Sequence, residues 1–228
     1  MDAYEFGYPK QCTRCAGFAK SGLSLQVAPY YRENGGVRLM FIGQDPTIFK
    51  GPERVKYVLM LDEPNSQLSR WFRDLIGHQS YDSLTVYATN LVKCTFAKPP
   101  STMREGGLKF LQPYFQNCKD YLSDEIAKFK PTCVLALGEP AHKLFSSMLD
   151  NRDVIPITMQ GAFTGQFIKA RLSGMEFDYS PCLHIKTFRV AEVYGESVKT
   201  FKDRIKEYFA DSGSGQHVAD RRRRGCHR

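Results

Sequence analysis

Residues 84–94, Leu-Thr-Val-Tyr-Ala-Thr-Asn-Leu-Val-Lys-Cys, decide the fold class of this chain. The part up to Asn90 is rich in β-branched and aromatic residues, which predicts a buried strand. Ligands of parallel sheets bind at the carboxyl ends of strands, so Asn90 is a candidate binding residue. Its amide offers a donor and an acceptor together, which suits the edge of a nucleobase. Cys94 follows closely and is a candidate metal ligand.

The size and composition of the chain indicate an ordinary globular protein. Of its 228 residues, 42% are hydrophobic and 25% are charged. This length is sufficient for one well-buried α/β domain and allows two domains at most. It contains no run of about 18 apolar residues, and its acidic N-terminus is unlike a secretory signal. We therefore expect an intracellular, cytoplasmic protein, bacterial or archaeal. The net charge of +8 favours an anionic partner such as nucleic acid.

Apolar and amphipathic segments alternate along the chain, which predicts a parallel sheet covered by helices on both faces. Strands are expected over 37–42, 84–90 and 132–137, extended segments over 154–183, and helices over 66–76, 108–130, 139–149 and 189–209. One domain is expected over 1–210. Residues 211–228, with four consecutive arginines, are expected to form a disordered basic tail.

Polar residues follow the first two predicted strands. The first strand breaks at Gly43 and is followed by Gln44 and Asp45, and the second ends at Asn90. Right-handed crossovers place these strand ends at the same edge of the sheet. We therefore expect Gln44, Asp45 and Asn90 to converge.

The seven cysteines of an intracellular chain indicate metal ligands or structural thiols rather than disulfides. Cys133 lies in an apolar run and is expected in the core. Four others lie in polar or strand-terminal settings: Cys12, Cys15, Cys94 and Cys118. Four soft thiolates suit an iron–sulfur cluster or zinc, and their spacing does not decide between the two. Four unrelated thiols are a third alternative.

Taken in order, several segments resemble the uracil-DNA glycosylase superfamily, particularly its iron–sulfur branch, family 4. The resemblance covers roughly residues 10 to 190 and rests on Cys12-Thr-Arg-Cys15, Ile42-Gly-Gln-Asp-Pro46, Thr89-Asn-Leu-Val-Lys-Cys94, Cys118, Pro131–Gly138 and His184. It implies a three-layer α/β/α sandwich with a central, mostly parallel four-stranded sheet. It further implies a monomer that binds DNA, removes uracil or a related deaminated base, and holds a structural [4Fe–4S] cluster on the four cysteines, with zinc as the alternative.

The resemblance also implies roles for individual residues. Asp45 would position or activate water, and His184 would donate to the base oxygen. Asn90 would bind the base edge, with Gly43 and the backbone N–H of Gln44 beside it. Each has a simpler interpretation: Asp45 as a turn residue before Pro46, His184 as a loop histidine, and Asn90 as a strand-end turn residue.

The chain departs from the family pattern at three places. Thr47 stands where family 1 has the tyrosine that excludes thymine. Tyr57, Met60 and Leu61 lie where the family has the phenylalanine that covers the flipped base, and Met60 is the candidate for that role. The loop after His184 lacks the proline and serine of the family motif. Lys186 and Arg189 could bind phosphates there, and Phe188 could wedge into the duplex.

These departures keep two other functions open. The first is a nucleic-acid-binding protein on the same scaffold that has lost catalysis. The second is a zinc-bearing α/β interaction domain with no role on DNA.

Overall fold

A six-stranded sheet forms the centre of the protein in this computed structural model, which describes residues 2–15, 27–47, 55–185 and 197–213. The strands are β1 (Tyr30–Arg32), β2 (Arg38–Gly43), β3 (Thr85–Asn90), β4 (Cys133–Leu137), β5 (Ile168–Leu172) and β6 (Met175–Cys182). Their order across the sheet is β1-β3-β2-β4-β6-β5.

The predicted four-stranded sheet is wrong in its strand number. The four inner strands, β3, β2, β4 and β6, are mutually parallel as expected, but an antiparallel strand is added at each edge. The three residues of β1 are too few to show an alternating pattern in the sequence. The extended segment predicted over 154–183 contains β5 and β6, together with one short helical turn, Met159–Ala162.

Four of the helices in the described residues correspond to the four predicted ones, whereas His78–Asp82 and Met159–Ala162 were not predicted. The predicted start of the last helix, residue 189, lies outside the described residues. The helices are α1 (Gln67–Ile76), α2 (His78–Asp82), α3 (Gly107–Phe129), α4 (Glu139–Ser146), α5 (Met159–Ala162) and α6 (Ser197–Gly213). Ser66 caps α1 as its residue type predicts, its side chain accepting a hydrogen bond from the backbone N–H of Ser69. Pro113 does not interrupt α3. The last helix reaches Gly213, past the predicted start of the tail at 211, and residues 214–228 lie outside the described residues.

Alternating strand residues bury two separate apolar cores, one on each face of the sheet. Met40, Tyr87 and Val134 pack on the face covered by α3 and α4. Leu39, Val86 and Leu135 pack on the face covered by α1, α2 and α6. The fold is therefore an α/β/α arrangement of three layers, as in the predicted architecture.

The inner strands end at one edge of the sheet because they are parallel. Their last residues are Gly43, Asn90, Leu137 and Cys182. Polar residues that follow these positions can therefore act on one ligand. None of the helices in the described part of the chain is both long and apolar enough to cross a bilayer.

Candidate active site

Asn90 lies at the carboxyl end of β3, directly opposite Gly43 of β2 in the parallel register. A Cβ atom added to Gly43 would overlap the Oδ1 atom of Asn90, so the amide occupies the space that a glycine leaves open. Asn90 is 1% exposed, and its Nδ2 atom has no hydrogen-bond partner within the part of the chain that the structure describes. A buried amide without a partner is costly. A ligand with an acceptor would satisfy it.

The loop after β2 holds Asp45 at the same edge. The ladder between the two strands continues past their ends, with the Leu91 N–H donating to the Gly43 carbonyl at 2.9 Å and the Val92 N–H to the Gln44 carbonyl at 3.0 Å. These bonds fix the backbone just before Asp45. Gln44 and Asp45 are therefore brought to the strand end that carries Asn90.

Both carboxylate oxygens of Asp45 accept hydrogen bonds. The Nε2 of Gln44 donates to Oδ1 at 2.6 Å, and the backbone N–H of Thr47 donates to Oδ2 at 3.1 Å, so Asp45 also makes the turn that its position before Pro46 predicted. Burial raises the pKa of Asp45, and the hydrogen bonds from Thr47 and Gln44 oppose that rise. A carboxylate of raised pKa is a stronger base than an exposed one.

His184 lies beyond the end of β6, on the far side of β4. A Cβ atom at Gly138, the residue after β4, would stand 3.6 Å from the Cβ of His184. Gly138 has a φ of 90°, in the region that favours glycine. β2 and β6 are separated by one strand, which puts His184 about 10 Å from the end of β2.

Leu59, next to the predicted base-covering residue Met60, lies against Gly43. Apart from atoms of Asn90, the nearest atom to a Cβ at Gly43 would be Cδ2 of Leu59, at 3.4 Å. Leu59 and Met60 both have a left-handed backbone, with φ of 61° and 51°. Two such residues in succession reverse the chain, and the sequence pattern carries no signal for this turn. The carbonyl of Met60 accepts a hydrogen bond from the Ser66 hydroxyl at 3.0 Å.

The N-terminal cysteine pair is attached to α3 around Cys118. The side-chain amide of Asn117 donates to the Cys15 sulfur at 3.3 Å, and the Tyr121 hydroxyl donates to the Cys12 sulfur at 3.7 Å. In return, Arg14 donates to the carbonyl of Asn117 at 2.9 Å. Cys12 and Cys15 therefore both lie beside the part of α3 that carries Cys118.

Cys94 completes a group of four neighbouring thiols. Burial, together with the negative charges of Cys118, Cys15 and Cys12, raises the pKa of Cys94 to about 12. Thiolates that repel one another in this way are stabilised by a bound metal, and four thiolates suit iron–sulfur or zinc. The donor set therefore fits such a group. Among the described residues, no three or more His, Cys, Asp or Glu side chains have the positions needed to coordinate a metal ion together.

The cysteine group and the Asp45 loop are joined. The backbone N–H of Phe96, two residues beyond Cys94, donates to the Thr47 hydroxyl at 2.9 Å. A displacement of the backbone at Cys94 can therefore be transmitted to the loop that carries Asp45 through this hydrogen bond. The predicted DNA contacts, Lys186, Phe188 and Arg189, lie outside the described residues.

The fold and this edge together define an α/β protein with polar residues gathered at the carboxyl ends of its parallel strands. Residues 29–205 match the family described as the Uracil DNA glycosylase superfamily. The chain belongs to that superfamily, which indicates DNA glycosylase activity and DNA as the partner. A comparison with curated proteins finds no match.

Proposed function

We propose that this protein is an iron–sulfur DNA glycosylase that removes uracil, or a related deaminated base, in base excision repair. The observation that carries the proposal is the buried, unpartnered amide nitrogen of Asn90 beside Gly43. An amide in this setting can bind a base edge that presents both an acceptor and a donor. Uracil presents both groups on its Watson–Crick edge.

The reaction breaks the bond between the base and C1′ of a nucleotide that has left the stack. Positive charge develops on the sugar and negative charge on the departing base. The ionised carboxylate of Asp45 stabilises the sugar and orients the attacking water. Burial favours this role, since it strengthens the field of the carboxylate and raises its pKa.

The departing base needs a hydrogen-bond donor at its oxygen, and His184 is the candidate for that donor. Its place about 10 Å from β2 by strand spacing leaves room for the nucleotide between it and Asp45. Leu59 covers the base in place of the aromatic ring expected from the family. An aliphatic cover has the contact area but lacks the stacking energy of a ring.

Cys12, Cys15, Cys94 and Cys118 would hold the [4Fe–4S] cluster, with zinc as the alternative. Bound there, the group would supply a structural cross-link between the N-terminal segment, the loop after β3 and α3. The contacts of Cys12 and Cys15 with α3 support this assignment. Lys186, Arg189 and Phe188 remain predictions for the DNA strand, as does the monomeric state.

A panel of oligonucleotides tests the proposal. Purified protein is incubated with single- and double-stranded DNA that contains uracil, hypoxanthine or xanthine, and alkali-labile abasic sites are scored. We expect strand cleavage after alkali with uracil, and none with a matched thymine control. Absence of cleavage on all three damaged bases would reject the glycosylase function.

One observation favours a second function, nucleic-acid binding without catalysis. Both oxygens of Asp45 already accept hydrogen bonds from the protein, which leaves fewer lone pairs for water. This alternative predicts salt-sensitive binding to single strands that Asp45→Asn does not change. It also predicts that neither the wild type nor that variant releases a base.

A further inference from the structure

A buried ion pair lies directly behind Asn90. Lys93 is 1% exposed and Glu125, on α3, is 0% exposed, and the Lys93 ammonium donates to Oε2 of Glu125. The other Glu125 oxygen accepts from the hydroxyls of Tyr87 at 2.7 Å and Thr89 at 2.8 Å. Neither charged residue has a role in the chemistry proposed above.

The ammonium of Lys93 is also bonded to the backbone of Asn90 itself. It donates to the Asn90 carbonyl at 2.7 Å and to the Thr89 hydroxyl at 2.8 Å, so its three protons have three acceptors. The Asn90 carbonyl lies where β3 ends and the chain turns into the loop. Lys93 therefore holds one side of the peptide plane between Asn90 and Leu91, and the bond from the Leu91 N–H to the Gly43 carbonyl holds the other.

Lys93 and Glu125 also adjoin the cysteine group. Lys93 precedes Cys94 in the chain, and its backbone N–H and its charge both lower the pKa of the Cys118 thiol, which burial raises. Cys118 and Glu125 are separated by two turns of α3 and lie on its buried face. The pair thus adjoins both Asn90 and the cysteine group.

We propose that Lys93 and Glu125 are positioning residues for the Asn90 amide, a role that rests on the base-release function proposed above. A buried ion pair is weak evidence for stability, because apolar residues of similar volume often serve as well. Glu125 fixes the ammonium, and the ammonium fixes the Asn90 carbonyl. The amide is thereby held against Gly43 before any base arrives, which is the preorganisation that catalysis requires.

A double-mutant cycle between Lys93 and Asn90 tests this role. We expect Lys93→Met to lower kcat/KM for uracil release by about 10- to 100-fold, the scale of a small misplacement of a binding group. In an Asn90→Ala background the same change should cost less than about threefold, because the group that it positions is gone. Tyr87→Phe is the control: it removes one hydrogen bond to Glu125, leaves those of Lys93 intact, and should change kcat/KM less than about threefold.

Lys93→Met leaves the buried carboxylate of Glu125 without its counter-ion. The double variant Lys93→Met/Glu125→Leu, which removes both charges, is therefore measured in parallel. Thermal unfolding and iron content establish that each variant is folded and loaded. We expect the double variant to fold and to show the same dependence on Asn90. An equal loss in both Asn90 backgrounds would overturn the positioning role, as would failure of both Lys93 variants to fold while Asn90→Ala folds.

Crystal structures of the wild type and the two Lys93 variants separate this role from the proposed function. If the wild type releases no base, the glycosylase function fails. The positioning role then stands if the Asn90 amide turns away from Gly43 in either Lys93 variant. It is overturned if the amide keeps its place in both.

Discussion

Replacing Gly43 with alanine should displace the Asn90 amide while leaving the strand intact. The backbone of Gly43 is not in the left-handed region, so β2 accepts alanine without strain. The new Cβ would overlap the end of the Asn90 side chain, with Leu59 at 3.4 Å on the other side. A side chain can rotate more readily than a backbone can shift, so Asn90 is the group that moves.

The energies follow from the same contact. Alanine in place of glycine within a strand stabilises by roughly 0.5–1 kcal/mol, and overpacking a core costs about 1–3 kcal/mol. The free energy of unfolding should therefore fall by about 2.5 kcal/mol at most. Loss of a paired donor and acceptor on the base edge costs about 1–3 kcal/mol, which lowers kcat/KM for uracil by about 5- to 150-fold.

Urea unfolding and single-turnover uracil release measure the two effects. Gly36→Ala is the matched control, because Gly36 also lies outside the left-handed region and a Cβ there meets nothing within 4 Å. Full activity in Gly43→Ala, or a loss of activity explained by unfolding, would refute the assignment of Asn90 to the base.

Three further outcomes are expected. The acidic limb of the pH profile of kcat/KM should lie above pH 3.8, the ordinary pKa of aspartate, because burial raises the pKa of Asp45 and only its ionised form is active; an Asp45→Asn variant that keeps this limb would contradict the assignment. Leu59→Ala should lower kcat/KM about tenfold, measured against Leu68→Ala, which alters the same apolar core away from the amide; equal losses would remove Leu59 from the site. Cys94→Ser should abolish the brown colour and the bound iron and destabilise the fold, whereas Cys133→Ala, in the core, should keep both; iron retained in Cys94→Ser would exclude it as a ligand.

The parallel sheet could be predicted from the sequence because both the composition of its strands and the residues at their ends are typical of buried strands. The runs that form β2, β3 and β4 are apolar or rich in β-branched residues, and Gly43 and Gly138 stand at strand ends. The antiparallel strand β1 was not predicted, because three partly buried residues are too few to show alternation of apolar and polar side chains. That Asn90 lies at the same sheet edge as the end of β2 could be predicted from the parallel topology, whereas its register opposite Gly43 could not.

The walls of the site could not be predicted in the same way. Leu59 has a left-handed backbone where it lies against Gly43. Leucine rarely adopts this conformation, so the sequence does not indicate it. Lys93 and Glu125 meet across 32 positions of sequence, and nothing local to either residue indicates the other. The seven-residue spacing of Cys118 and Glu125 was the available signal, as it puts both on one face of a helix.

The most direct test of the central claim, that Asp45, Asn90 and His184 act on one extruded nucleotide, is the mass-spectrometric quantification of free base from a uracil-containing oligonucleotide under single-turnover conditions. The wild type should release one uracil per oligonucleotide. Asp45→Asn, Asn90→Ala and His184→Ala should each remain folded, bind the same DNA and release uracil at least about 100-fold more slowly. No uracil from the wild type, or undiminished release from all three variants, would contradict the claim.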